Sequence, residues 1–317
     1  MADIPIELTD RNILAARPDR NPVDDVSTPY SFLVEPERTH DGQIEDVATV
    51  FLTNRECPFK CLMCDLWRNT TEKTVPIGAI PQQIDFALQR LPSARHLKLY
   101  NSGNFFDAKA IPREDWPAIV ERVRGFRSVI VENHPKLCGD ACLEFRDWFA
   151  EHGVEPEIAV GLETIHPAVL PRLNKQMTLG DYSRAVEFLV AAGIRVRSFV
   201  LLRPPFLTEE EGVEWALQSV EFAFDRGVLC CAVIPVRAGN GIMEQLAAAG
   251  QFSSPTLSSL ETVLERGIAM NRGRVFVDLW DARQFAACDR CVDARVARLG
   301  RMNLNQSMEP AIDCPDC

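Results

Sequence analysis

The chain contains no run of roughly 18 consecutive apolar residues, so a membrane-spanning helix is not expected. Its opening stretch, MADIPIELTDRNILAARPDR, carries acids early and has no basic segment followed by an apolar one. A secretory signal is therefore not expected either, and the sequence reads as cytoplasmic. Positive charge is also in short supply: 34 Lys and Arg stand against 45 Asp and Glu, a net charge of −11 at pH 7. Affinity for nucleic acid comes from basic side chains that neutralise phosphates, so this deficit disfavours non-specific nucleic-acid binding. No internal repeat stands out beyond an alternation of short strands and helices.

What is present is an ordinary globular composition, 46% hydrophobic and 25% charged, in 317 residues. Apolar strand-like runs at 47–53, 96–100, 128–132, 157–163, 195–202 and 228–236 alternate with helical patterns. The helical patterns fall at 81–91, 113–125, 141–153, 180–193, 208–227 and 257–270, with Asp181 as the expected cap and Gly193 as the stop of the fourth. Six βα-like units of this kind predict an α/β fold, a parallel sheet with right-handed crossovers curled into a partial (β/α)6 TIM-like barrel. Residues 1–45, rich in Pro, Asp and Arg, read as an extended N-terminal leader, 46–250 as the barrel, and 251–317 as a C-terminal segment.

Eleven cysteines in a reducing compartment point to metal more than to disulfides. Cys57, Cys61 and Cys64 follow the first apolar strand in ECPFKCLMCDLW, at the strand end where parallel α/β folds build their sites. Three ligands leave a tetrahedral structural zinc site incomplete. They suit a four-iron, four-sulfur ([4Fe–4S]) cluster held through three irons, with the fourth open. A different set, Cys288-x2-Cys291 and Cys314-x2-Cys317, makes two knuckles separated by 22 residues, which fit one zinc ion or an auxiliary iron–sulfur cluster. Cys230 and Cys231, inside an apolar run, read as core thiols. Cys138 and Cys142 have no partner legible in the sequence. Five arginines at 283, 290, 295, 298 and 301 alternate with Asp281, Asp289 and Asp293, a mixed-charge surface rather than a basic face.

The cysteine phrase, with LYNSGNFFD, VGLET and LNKQMT after it, resembles the radical S-adenosylmethionine (radical SAM) superfamily, in particular its Elp3-like group and the archaeosine-forming proteins within it. The resemblance covers residues 47–240. It implies a catalytic cluster on Cys57, Cys61 and Cys64, S-adenosylmethionine (SAM) bound at the open iron, and a reductant such as flavodoxin or ferredoxin. It further implies that Met63, which replaces the aromatic residue usual before the third cysteine, lies beside the SAM adenine. Ser102, Gly103 and Asn104 stand where the family has a glycine-rich turn that meets the SAM amino group. Glu163 takes the place of an acid that binds the ribose or amino group, Arg203 is a candidate for the SAM carboxylate, and Val236 and the 239–241 turn for the adenine. Glu132, Asn133 and His134, at the end of the third strand, are candidates for substrate contact.

The reaction implied is hydrogen abstraction from a modified deazapurine, tRNA-borne or free, of lyase, transferase or oxidoreductase type. The acidic charge disfavours tRNA and keeps a small-molecule biosynthetic radical enzyme as the alternative. A non-catalytic zinc-bound interaction module is the reading of a different class. A B12-dependent methyltransferase is not expected, since no separate corrin-binding domain fits in the chain.

Overall fold

The structure is a computed structural model that describes residues 7–316. In chain order its elements are α1 (Asp10–Ala16), β1 (Ser31–Arg38), β2 (Ile44–Phe51), α2 (Ala79–Leu88), β3 (His96–Tyr100), α3 (Trp116–Val123), β4 (Ser128–Asn133), α4 (Asp140–Ala150) and β5 (Glu155–Glu163). The order continues with α5 (Leu179–Ala191), β6 (Arg195–Leu202), α6 (Glu209–Asp225), β7 (Cys230–Pro235), α7 (Ile242–Ala248), α8 (Leu257–Ala269), β8 (Arg274–Val277) and α9 (Val292–Asn305). The strands form one sheet in sequential order, β2 to β8 parallel and β1 antiparallel to β2.

Alternating side chains explain the layering. Leu97, Leu99, Val129, Val131, Ile158, Val160, Val196 and Val200 point under the helices into one continuous core. The opposite face carries Lys98, Tyr100, Glu157 and Arg197. Neighbouring strands lie about 4.8 Å apart, so residues three strands apart on a flat sheet cannot touch. Yet the Tyr100 ring on β3 meets the Phe199 ring on β6 at 6.2 Å, and Arg197 on β6 reaches Glu37 on β1 at 2.6 Å. The sheet is curled into a partial barrel with these groups inside it.

The residues before 45 differ from the expected leader: Ser31–Arg38 form the edge strand of the sheet. Pro36 obscures this strand in the sequence, but an edge strand tolerates a residue without an N–H. Segment 251–317 continues the same sheet through β8. Helix α9 then covers that edge, because Asn303 and Gln306 trade side-chain amide hydrogen bonds with the backbone of Val277 and Val275 at 2.8–3.0 Å. An unpaired strand edge is satisfied by side chains that mimic another strand. At α5 the cap is Thr178 rather than Asp181; Asp181 sits at the third helical position and returns a hydrogen bond to the Thr178 backbone, completing a capping box.

Candidate active site at the mouth of the barrel

The loop that leaves β2 is fastened at its apolar middle and along its backbone. Leu62 is fully buried among Leu173, Leu201, Val236, Ile242 and Met243, and its N–H donates to the Leu173 carbonyl at 2.8 Å. Asn240 donates to the carbonyls of Leu62 (2.8 Å) and Cys64 (3.2 Å) and accepts from the Met243 N–H. Asn174 donates to the Lys60 carbonyl at 2.7 Å. Asn104 donates to the Cys57 Sγ at 3.2 Å while its oxygen accepts from the His134 N–H, which ties the loop to the end of β4. His134 also stacks on Phe59 with ring centres 3.8 Å apart.

Cys57, Cys61 and Cys64 lie close enough to interact electrostatically, and burial pushes all three thiols up, Cys61 to about 12. Their deprotonation therefore needs compensating positive charge, which bound iron would supply. Among the described residues they do not form a set with sulfurs all within 4.8 Å of one another. A single ion with Zn–S bonds of about 2.3 Å would hold its sulfurs roughly 3.8 Å apart, whereas ligands to separate irons of a cluster stand wider. The donor set fits the cluster.

The turn after β3 backs this loop. Gly103 lets the turn approach closely, since a Cβ would sit a tight 3.2 Å from the Cys57 Cβ. Burial raises the Glu132 carboxyl, opposed by the backbone amides of Asn101, Gly103 and Ser102. It accepts from the Asn101 N–H at 2.7 Å and the Gly103 N–H at 3.3 Å. With these amides turned to Glu132, the turn has carbonyl oxygens to offer a ligand, and these are acceptors suited to an amino group. Ser102, at φ +53°, is buried and shares a hydrogen bond of 3.1 Å with the Tyr30 hydroxyl. Both polar side-chain atoms of buried Asn101 are without a partner among the described residues.

At the end of β5 the register slips between Gly161 and Glu163, and Glu163 takes φ +67°. Its carboxylate pairs with Lys175, and both groups are buried. A Cβ at position 161 would fall 2.2 Å from the Lys175 Nζ and 2.3 Å from the Glu163 Oε1, so glycine makes room for the ion pair. Burial works against the Lys175 charge, but Glu163 and Cys61 more than offset it and hold the ammonium charged. Asn174 and Gln176 on either side have left-handed backbones, at φ +51° and +58°, and the Lys175 carbonyl bonds the His134 Nε2 at 2.9 Å. Such strained backbone persists only where its surroundings fix it. Sequence reasoning assigned no role to Lys175, although it quoted LNKQMT, and placed Asn240 only within a turn. Neither signals its role in sequence: Lys175 meets Glu163 across an irregular 12-residue turn, and Asn240 lies 178 residues from Leu62.

Met63 and Val236 belong to one apolar cluster with Leu62, Ile234 and Phe206. Arg203, at φ +54°, is tied to Glu209 and donates to the Ser254 carbonyl at 2.8 Å. Inside the barrel below the cysteines, half-buried Tyr30, Phe51, Tyr100 and Phe199 run in contact, with ring centres 5.6–6.3 Å apart. The C-terminal thiols make a separate site. Cys288, Cys291 and Cys314 have all their sulfurs within 4.8 Å, with Cys288 and Cys314 3.9 Å apart. Cys317 lies outside the described residues. Cys231 is a core thiol as expected, but Cys230 faces the barrel interior under the influence of Arg197 and Arg274. Cys138 donates to the His134 carbonyl at 3.8 Å, and Cys142 is buried in the core of the helical layer.

No protein-family model matches the sequence. The chain is 23% identical over 259 residues to an uncharacterised protein of Methanocaldococcus jannaschii, covering 77% of this chain and 70% of that one. It is 27% identical over 168 residues to archaeosine synthase subunit beta of Thermococcus kodakarensis, covering 50% and 51% of the two chains. It is 24% identical over 220 residues to the Methanosarcina acetivorans subunit, covering 66% and 62%. The chain thus spans about half to three fifths of these archaeosine synthase subunits. Among solved structures it superposes on Methanocaldococcus infernus Elp3 with a TM-score of 0.50 at 13% identity, over 70% of this chain and 59% of that one. It superposes on Streptococcus suis SuiB, bound to its precursor peptide SuiA, with a TM-score of 0.51 at 12% identity, over 71% and 47%. With a curled, mostly parallel sheet and three cysteines at its mouth, the chain has the fold of the radical SAM enzymes Elp3 and SuiB.

Proposed function

We propose that the chain is a radical SAM enzyme acting on a planar, nucleobase-like ring, either free or carried on tRNA. The observation that carries the reading is the wide-set trio of half-buried thiols at the carboxyl end of the parallel strands, fastened by Asn104, Asn174 and Asn240. When bound on Cys57, Cys61 and Cys64, a [4Fe–4S] cluster supplies the electron that splits SAM into methionine and a 5′-deoxyadenosyl radical, which takes a hydrogen atom from the substrate.

The chain's own residues bind, orient and exclude water. Carbonyls of the 101–104 turn accept from the SAM amino group. The Glu163–Lys175 pair complements an amino-acid zwitterion, one charge for each of its charges. Arg203 is paired with Glu209 and Lys175 with Glu163, and of the two cations Lys175 is the one that lies under the electrostatic influence of Cys57 and Cys61, so it is the better supported partner for the SAM carboxylate. Met63 and Val236 supply apolar surface for the adenine. Tyr30, Phe51, Tyr100 and Phe199 suit a flat ring, since base–aromatic stacking tolerates any base. The archaeosine synthase relatives support a modified base as the substrate. The net charge of −11 favours a second reading, in which the same chemistry serves small-molecule biosynthesis.

For the C-terminal thiols, the 3.9 Å separation of Cys288 and Cys314 supports a single tetrahedral ion, zinc, over an auxiliary cluster. The test is iron, sulfide and zinc per chain in anaerobically purified wild type and in Cys57→Ala/Cys61→Ala/Cys64→Ala, with 5′-deoxyadenosine assayed after addition of dithionite and SAM. The expected result is about four irons lost in the variant, zinc retained, and deoxyadenosine from wild type alone. A reconstituted protein with neither iron nor deoxyadenosine would leave the zinc-bound interaction module standing.

A further inference from the structure

We propose that Ala232 forms the base of a slot in the inner wall of the barrel, between Phe199 and Phe276, that takes a flat uncharged ring, and that the Tyr100 hydroxyl reads the polar edge of that ring. The proposal rests on the radical SAM reading with a planar substrate and names the residues that select it.

The register of the sheet builds the slot. Phe199 on β6 pairs with Ala232 on β7, and Ala232 with Phe276 on β8, so one row carries a phenylalanine, a lone methyl group and a phenylalanine. Val200, Cys231, Val233, Val275 and Val277 belong to the core under the helices, and a strand alternates its faces, so this row points into the barrel. Strand β7 is hydrogen-bonded on both sides, yet Ala232 is only half-buried. Its exposed surface therefore faces an open interior, as does that of half-buried Phe199 and Tyr100. Strands two apart stand about 10 Å from one another on a flat sheet, and a concave face brings their side chains closer. A ring with carbon contacts on both faces needs about 7–8 Å. Alanine at 232 leaves that width, and a larger side chain closes it.

The polar groups around the slot decide what kind of ring it takes. One row nearer the amino ends of the strands lie Arg197, Cys230 and Arg274. Arg197 is committed to Glu157 at 2.7 Å and to Glu37 at 2.6 Å, and Arg274 to the Arg38 carbonyl at 2.8 Å. These cations are already answered, so they favour neither a phosphate nor a carboxylate in the slot. Tyr100 stands against Phe199, nearly perpendicular to it, with ring centres 6.2 Å apart. The Tyr30 hydroxyl is engaged with Ser102 at 3.1 Å, whereas the Tyr100 hydroxyl makes no hydrogen bond among the described residues. Nor is its oxygen sealed in the wall as the side-chain polar atoms of Asn101 are. Burial raises the Tyr100 phenol, which therefore stays protonated and can both donate and accept. A polar group of this kind favours a ring that pairs with it over one that leaves it unpaired.

The test measures the binding of 7-deazaguanine, and of indene, a fused ring pair without polar atoms, by equilibrium dialysis against reconstituted wild type, Ala232→Leu and Tyr100→Phe. Ala232→Leu should weaken both rings by about tenfold or more, because its side chain fills the slot. Tyr100→Phe should weaken 7-deazaguanine by about tenfold and indene by less than about twofold, because only a hydrogen bond is removed. Far-UV circular dichroism and iron per chain should match wild type in both variants. Unchanged binding by Ala232→Leu would overturn the slot. No loss of 7-deazaguanine, or an equal loss of both rings, in Tyr100→Phe would overturn the role of its hydroxyl. A wild type that binds neither ring would instead overturn the planar-substrate reading, and one that makes no deoxyadenosine with dithionite and SAM would overturn the radical SAM reading.

Discussion

At the residue scale, one glycine and one asparagine hold the site's geometry. Gly161 is a place where any side chain collides with the buried Lys175–Glu163 pair. Overpacking of this kind typically costs about 1–3 kcal/mol, and here the atoms that must yield are the charged ends beside the thiols. Gly161→Ala should therefore keep the fold by far-UV circular dichroism and lose deoxyadenosine formation by about tenfold or more. A variant with wild-type activity would show that the ion pair can move without consequence. Asn240 acts from the far end of the sequence, after β7, on the carbonyls of Leu62 and Cys64. Asn240→Ala leaves those carbonyls without their donor, a loss of about 1–3 kcal/mol confined to the loop. The expected outcome is fewer irons per chain after anaerobic gel filtration, with an unchanged global unfolding midpoint. Neither role is legible in the sequence. An alternating apolar run announces a strand locally, but the bond of Asn240 to Leu62 spans 178 residues and no spacing rule encodes it.

At the element scale the βα alternation was readable because each parallel strand is an unbroken apolar run and each helix ends in a recognisable stop, such as Gly193 at φ +74°. The two edges were not. Strand β1 carries Pro36 and the ion-paired Glu37, so its pattern resembles a loop. Helix α9 hides its function in two amides, Asn303 and Gln306, that bond the β8 backbone. Cys291 stands at the N-cap position of α9, so the proposed C-terminal metal site and the sheet edge are joined by a single helix. Removal of that metal by a chelator should raise hydrogen exchange at the Val275 and Val277 amides, as should Asn303→Leu/Gln306→Leu with the metal in place. Protection that stays at the native level after metal loss would mean that α9 is held by its apolar face alone, through Val292, Leu299 and Met302.

For the whole molecule, the interior of the barrel is held by charge at its amino end and by aromatic rings nearer the mouth. Glu37 from β1 accepts from Arg197 on β6 and pairs with Lys98 on β3, Glu157 on β5 takes the other side of Arg197 at 2.7 Å, and Arg274 on β8 reaches the Arg38 carbonyl at 2.8 Å. This network joins the first strand to the last third of the sheet and so sustains the curl that brings Tyr100 to Phe199. Burial pushes the Glu37 carboxyl up, but Arg197 and Lys98 prevail and hold it far below the usual carboxylate range; Glu157 is likewise lowered on balance. A folded-state pKa below the unfolded value means that the unfolded chain binds more protons, so stability falls as pH falls. The contribution is whole above the unfolded value of about 4.3 and drains away beneath it as the folded values are approached. Wild type should therefore lose unfolding free energy between pH 5 and pH 3 in chemical denaturation. Glu37→Gln should cost about 3–5 kcal/mol at pH 7, because Arg197 and Lys98 remain buried with less opposing charge. The same variant should show a shallower loss toward acid, since one of the depressed carboxyls no longer titrates. Parallel pH profiles for the two proteins would mean that Glu37 does not sense its partners, and that the curl rests on the rings and the helices outside.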